Sequence, residues 1–193
     1  MINKKDIFFF ITIFFSKLGD YILLFLVPLV VYKITGSASI SGLAFFIETL
    51  PRFIYFPIAG ILSTYISPFK LLKVSQQMRI FVVILGLIGY YFIESFYWLI
   101  AISAIVGLLT TQGDIAKEVI IPQTFKKFPL QKVFSFTQIF NQLGIVLAPL
   151  LASILLTFIS WEVIVFITVF LFLIADISFT IWRNKIHYNG LNI

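Results

Sequence analysis

Residues 14–31 read FFSKLGDYILLFLVPLVV, an apolar run that carries a cation, Lys17, and an anion, Asp20, three residues apart. The run extends back through FFFITIFF, residues 8–15, and forward to Lys33. It therefore exceeds the roughly 20 apolar residues that cross a bilayer as a helix. A charge at the centre of such a helix costs about 2.5–3.5 kcal/mol on insertion scales, so it faces a protein interior or a wet cavity rather than lipid. The leading MINKKD gives the start the charged-then-apolar form of a signal peptide. The run continues through Val31 without a small-residue cleavage site, and it reads as a retained first span.

Composition extends this reading to the whole chain. Of 193 residues, 61% are hydrophobic and 11% charged, with a mean hydropathy of +1.08; a soluble domain has about 25% charged residues. This is the composition of an integral, multi-pass membrane protein, read here as one of the plasma (inner) membrane and in contact with lipid throughout. Cysteine is absent, which excludes disulfides, thiolate chemistry and Cys-based metal sites. No HExxH or GxxxxGK[ST] pattern occurs, so neither a zinc protease site nor an ATP-binding loop is encoded. No cofactor is expected.

Six spans follow from the apolar runs, at 7–33, 41–64, 75–93, 97–121, 133–158 and 162–182, in a single domain over residues 1–193. Turn chemistry separates them: Thr35-Gly36-Ser37, Ser67-Pro68, Glu94-Ser95, Pro122 to Pro129, and Ser160. Lys4 and Lys5, Lys70 and Lys73, Lys126, Lys127 and Lys132, and Arg183 and Lys185 all fall at alternate span ends, whereas the opposite ends carry Lys33 beside Glu94 and Glu162. The positive-inside rule then places both termini in the cytoplasm. It also accounts for the net charge of +6 and for the basic loop PQTFKKFPLQK, residues 122–132, with no nucleic-acid partner. Tyr32, Tyr97, Trp98, Trp161 and Trp182, near span ends, fit interfacial belts.

The first and fourth spans share a pattern: Gly19-Asp20 with Pro28 eight residues on, and Gly113-Asp114 with Pro122 eight residues on. Pro57-Ile-Ala-Gly60 in the second span and Pro149-Leu-Leu-Ala152 in the fifth add a weaker match. Two three-helix units entering the membrane from opposite sides form a 3+3 inverted repeat, the plan of many secondary transporters.

Further intramembrane charges are Glu48 and Arg52 on the second span, Asp114, Lys117 and Glu118 on the fourth, and Asp176 on the sixth. Counted from opposite sides, Asp20 and Arg52 both fall roughly 15–20 Å deep, which puts an Asp20–Arg52 pair within reach. Lys17 is a partner candidate for Asp20, and Lys117 and Glu118 are expected to snorkel to the cytoplasmic surface. These charges either lock helices together or, for Asp20 beside a helix-loosening Gly19, load and release a proton during transport. Gln138, Asn141 and Gln142 on the fifth span either line a polar path with Asp114 or bond to a neighbouring helix. Gly144, Ala148 and Ala152 form a small-residue stripe suited to close helix packing.

The stretch GDYILLFLVPLVVYKITGSASISGLAFFIETLPRFIYFPIAGILS, residues 19–63, resembles the start of major facilitator superfamily transporters, in the branch of macrolide-efflux-like exporters. The matching positions are Gly19, Asp20, Thr35, Gly36, Ser37, Leu50, Pro51, Pro57, Ala59 and Gly60. The likeness continues more loosely through Ile121-Pro122 and the fifth span, where Gly144 and Pro149 match the glycine-proline motif of proton antiporters. In the family's loop between the second and third helices, which helps stabilise one conformation, Thr64 stands at the Asp position and Lys70 is what remains of the basic cluster.

The resemblance implies half of a twelve-helix fold whose two halves enclose a substrate path. The expected function is secondary active, proton-coupled efflux of an amphipathic small molecule. Asp20, Arg52, Lys17 and Glu48 would serve coupling, Asp114, Gln138, Asn141 and Gln142 would line the path, and Gly60, Lys70, Gly144 and Pro149 would serve conformational change. Six helices in this chain call for a separately encoded second half or a second copy of the chain. A non-transporting structural or assembly protein, or a truncated transporter relic, is the alternative. A remoter one is an aspartyl intramembrane protease built on Asp20 and Asp114, although the GxGD pattern lacks its first Gly at both.

Overall fold

The computed structural model describes residues 6–126 and 128–187, the side chains of 185–187 excepted. Lys4, Lys5 and Lys127, on which the orientation partly rests, lie outside the described residues, as do the side chains of Lys185 and His187. The described chain is all-helical: α1 (Ile7–Thr35), α2 (Ala38–Tyr65), α3 (Pro68–Ile93), α4 (Phe96–Thr124), α5 (Leu130–Phe158) and α6 (Trp161–His187). All six are long and apolar enough to cross a membrane.

The local stops have clear causes. Gly36 takes a left-handed conformation (φ 66°) and donates its N–H to the Tyr32 carbonyl, ending α1; the Ser37 hydroxyl then accepts from the Ile40 N–H and starts α2. The largest departure from the expected spans is at α3, which begins at Pro68 and not at residue 75. Proline at the first helical position has no amide to leave unsatisfied, and the basic FKLLK segment that reads as loop is helix, with Phe69, Leu71 and Leu72 buried.

The packing partners exchange in an ordered way. α1 packs chiefly on α5 and α6, α4 chiefly on α2 and α3, and α3 also meets α6. Two apolar clusters result. One gathers Ile22, Leu26 and Val30 of α1 with Val83, Val106, Ala148, Ala152 and Phe172. The other gathers Phe9, Phe10 and Ile13 of α1 with Phe69, Ile120, Phe125, Val133, Phe179 and Trp182.

Trp182 is fully buried at the centre of the second cluster, with ring centroids 4.5 Å from Phe9, 5.9 Å from Phe179 and 6.1 Å from both Phe69 and Phe125. It is therefore a core residue and not an interfacial anchor. Tyr32 and Tyr97 are exposed, as a belt requires. Replacing Trp182 with Ala removes a ring shared by three helices and the residue that follows α4 and is expected to cost about 3–5 kcal/mol, seen as a lowered Tm in detergent. Tyr91→Ala, at an 80% exposed position, is expected to leave the Tm almost unchanged.

Candidate functional site

Between the two apolar clusters lies a layer of polar side chains. On α1 it falls between Ile13 and Leu18, on α3 between Leu72 and Val83, on α4 between Val106 and Ala116, and on α5 between Val133 and Ala148. Those intervals hold Lys17, Gln76, Arg79, Thr110, Asp114 and Asn141, with Asp20 just beyond Leu18 and Lys117 just beyond Ala116.

Asp20 is 1% exposed, and its partner is Arg79 of α3. Arg79 Nη1 lies 2.8 Å from each carboxylate oxygen, and the Thr110 hydroxyl donates to Oδ1 at 2.7 Å. The guanidinium carbon stands 4.9 Å from the centre of the Phe172 ring, so an aromatic face covers the pair. Gly19 makes this possible: a Cβ there would lie 2.9 Å from Phe172. Its role is close approach of α6, in place of the expected loosening of α1.

The expected Asp20–Arg52 pair is absent. Arg52 lies within ion-pair distance of neither Asp20 nor Glu48 among the described residues. It runs along α4, where Gly107 leaves room for it; a Cβ at that glycine would lie 2.6 Å from Arg52 Nε. Glu48 is fully buried and accepts a hydrogen bond from Ser103 of α4.

Lys17 also has a different partner from the one expected. It pairs with Asp114 of α4, and its backbone is crossed closely by α5 at Gly144, where a Cβ would lie 2.9 Å from Lys17 Cβ. Lys117 does not snorkel: it is 5% exposed, 3.2 Å from Asp114 Oδ1 and 3.4 Å from Asn141 Oδ1. Asn141 in turn donates to Gln138 at 3.3 Å. A continuous polar chain thus runs from α1 through α4 to α5. Glu118 is exposed, in keeping with its expected surface position.

Gln138 and Gln142 are exposed on α5 beside Ser135. Of the residues expected to serve conformational change, Pro149 lies inside α5 and Lys70 is exposed. Gly60 has open space where a Cβ would project.

The family model described as Major Facilitator Superfamily matches residues 9–188. The chain belongs to the major facilitator superfamily. It is a membrane transporter domain of that superfamily, and the match takes in the whole polar layer. No curated protein matches the sequence.

Three residues of this major facilitator domain escaped the sequence reading. Arg79 and Gln76 sit close to the start of a span taken to begin at residue 75. With α3 beginning at Pro68, Arg79 is eleven residues in, about 17 Å along the axis, beside an Asp20 about 20 Å along α1. Lys73, read as a surface topology signal, bonds Asp176 of α6 at 2.7 Å. The available signal was Arg79 itself, a guanidinium between apolar flanks, to which the depth argument used for Asp20 also applies.

Breaking a buried pair strands the remaining charge, at about 3–5 kcal/mol. Arg79→Leu is expected to destabilise by that order. The Asp20→Leu/Arg79→Leu double variant is expected to melt above the Arg79→Leu single, in a thermal double-mutant cycle in detergent.

Proposed function

We propose that this domain is the six-helix half of an export-type transporter in the plasma membrane, moving an amphipathic small molecule against a proton gradient. The observation that carries the reading is the buried Asp20–Arg79 pair in a polar layer spanning α1, α3, α4 and α5. Protonation of Asp20 would cancel its attraction for Arg79 and leave an unpaired guanidinium under Phe172. The α1–α3 contact would then favour rearrangement, which is how a proton can drive a conformational cycle.

An inverted 3+3 repeat is supported by the exchange of packing partners, and cytoplasmic termini by the lysines and arginines at alternate span ends. Gly19 of α1 meets α6 as Gly113 of α4 meets α3, and α1 lies against α5 as α4 lies against α2. The exporter branch rests on the motif positions from Gly19 to Gly60. α2 and α5 bury the least of their surface, and α5 presents Gln138 and Gln142 there. Exposed amides within an apolar helix are costly against lipid. This favours a second six-helix unit and an aqueous path on that side, over a purely structural protein or a relic.

The chemistry is transport and not catalysis. Asp20 and Asp114 are each neutralised by their own cations, which speaks against the shared-proton carboxylate pair of an aspartyl protease.

The test is uptake of amphipathic fluorophores of negative, neutral and positive charge into everted vesicles with an imposed pH gradient, with and without a candidate second half. Gradient-dependent uptake, abolished by an uncoupler, is expected. Asp20→Asn is expected to reduce it to the level of protein-free vesicles. Unchanged coupled uptake in that variant would remove Asp20 from the mechanism.

A further inference from the structure

The polar layer borders a narrow, partly open cleft between α1, α3 and α4. Three cations line it, Lys17, Arg79 and Lys117, against one lining carboxylate, Asp114. Counting Asp20, which faces Arg79 from α1, the charges at the cleft sum to three positive and two negative, an excess of one cation. Both carboxylates are already paired, Asp20 with Arg79 and Thr110, and the partly exposed Asp114 with the two lysines. Glu118, one turn along α4 from Asp114, is exposed and does not line the cleft.

Gln76 is the second, independent observation. It lines the same cleft, is 0% exposed, and neither its amide nitrogen nor its amide oxygen has a hydrogen-bond partner among the described residues. An unsatisfied buried amide is costly, and natural structures keep few of them. An excess buried cation is costlier still.

We infer that the cleft binds the headgroup of an amphipathic monoanion, its charge held by Lys17 and Lys117 and one of its oxygens accepting from the Gln76 amide. This rests on the transport reading and names the substrate class for it. A single excess positive charge matches a carboxylate or a phosphodiester, and a dianion would over-neutralise it. The enclosed space is small, about 20 Å³, so the charged oxygens of the head enter it and the chain lies along its mouth. Phe9, Ile13 and Leu72 supply apolar wall for the adjoining chain.

The experiment is equilibrium binding of radiolabelled octanoate to the full chain in nanodiscs of zwitterionic lipid, repeated with added chloride and with phosphatidylglycerol in the disc. Saturable binding is expected, weakened about tenfold or more by Lys117→Gln and by Gln76→Leu, each of which removes one hydrogen bond to an anion. Lys132→Gln, exposed and outside the cleft, is expected to bind as wild type. Gln76→Leu removes an unpartnered buried amide, so its Tm is expected to equal or exceed that of wild type; it keeps the test valid if Lys117→Gln does not fold.

Competition by phosphatidylglycerol with the same variant sensitivity identifies a lipid headgroup as the source of the anion, and absence of that competition identifies a soluble carboxylate. Lack of saturable octanoate binding, displacement by chloride with no dependence on the apolar tail, or equal binding by wild type and Gln76→Leu would overturn the inference. The measurement uses no gradient, so a failure of transport leaves its result intact, and a failure of binding leaves coupled transport of other substrates to be judged separately.

Discussion

A guanidinium and a carboxylate buried at 1% exposure in a membrane domain constrain everything around them. Neither ion tolerates hydrocarbon alone, so α1 and α3 must lie side by side at the depth where Asp20 and Arg79 meet. α6 must then come close enough to cover the pair with Phe172, and that requires glycine at position 19. Thr110 brings α4 into the same contact. The bundle is built outward from this point, with an apolar cluster on either side of it.

The same logic governs the rest of the polar layer. Lys17, Asp114, Lys117 and Asn141 form a chain across three helices in which each charge has a partner on another element or one turn away. Any motion of this bundle has to keep these charges partnered or exchange one partner for another, because the intervening states are expensive. Glycines make room for the charged residues, Gly144 by letting α5 cross the backbone at Lys17 and Gly107 by accommodating the Arg52 side chain. Close packing and buried charge reinforce each other: the glycines bring the helices near enough for short side-chain bridges, and the bridges specify which helices those are.

The spans were legible because membrane helices are long apolar runs, and length and hydropathy are local properties. The start of α3 was not, since lysines that bond across helices look in sequence like a basic loop; Lys73 reaching Asp176 is a tertiary fact. The repeated Gly-Asp pairs singled out Asp20 and Asp114, and both proved to be centres of the ion-pair layer. The partner of Asp20 was misassigned, and Asp114 was given none. Depth along a helix can be counted from sequence, but the neighbour of a helix cannot, so Arg52 appeared to match Asp20 while Arg79, on a span whose start was set too late, was passed over.

By itself, then, the sequence determined that the chain holds six runs long and apolar enough to cross a membrane, that several charges lie inside them, and, through the positions from Gly19 to Gly60, the family to look for. Hydropathy and motif spacing depend only on residues near one another in the chain. The tertiary structure alone decided which charge meets which, that Lys117 is buried, that Trp182 is core, and that Gln76 faces a cleft with an excess of positive charge. Those are properties of helix neighbours and rotation, set by the requirement that every buried ion find a partner.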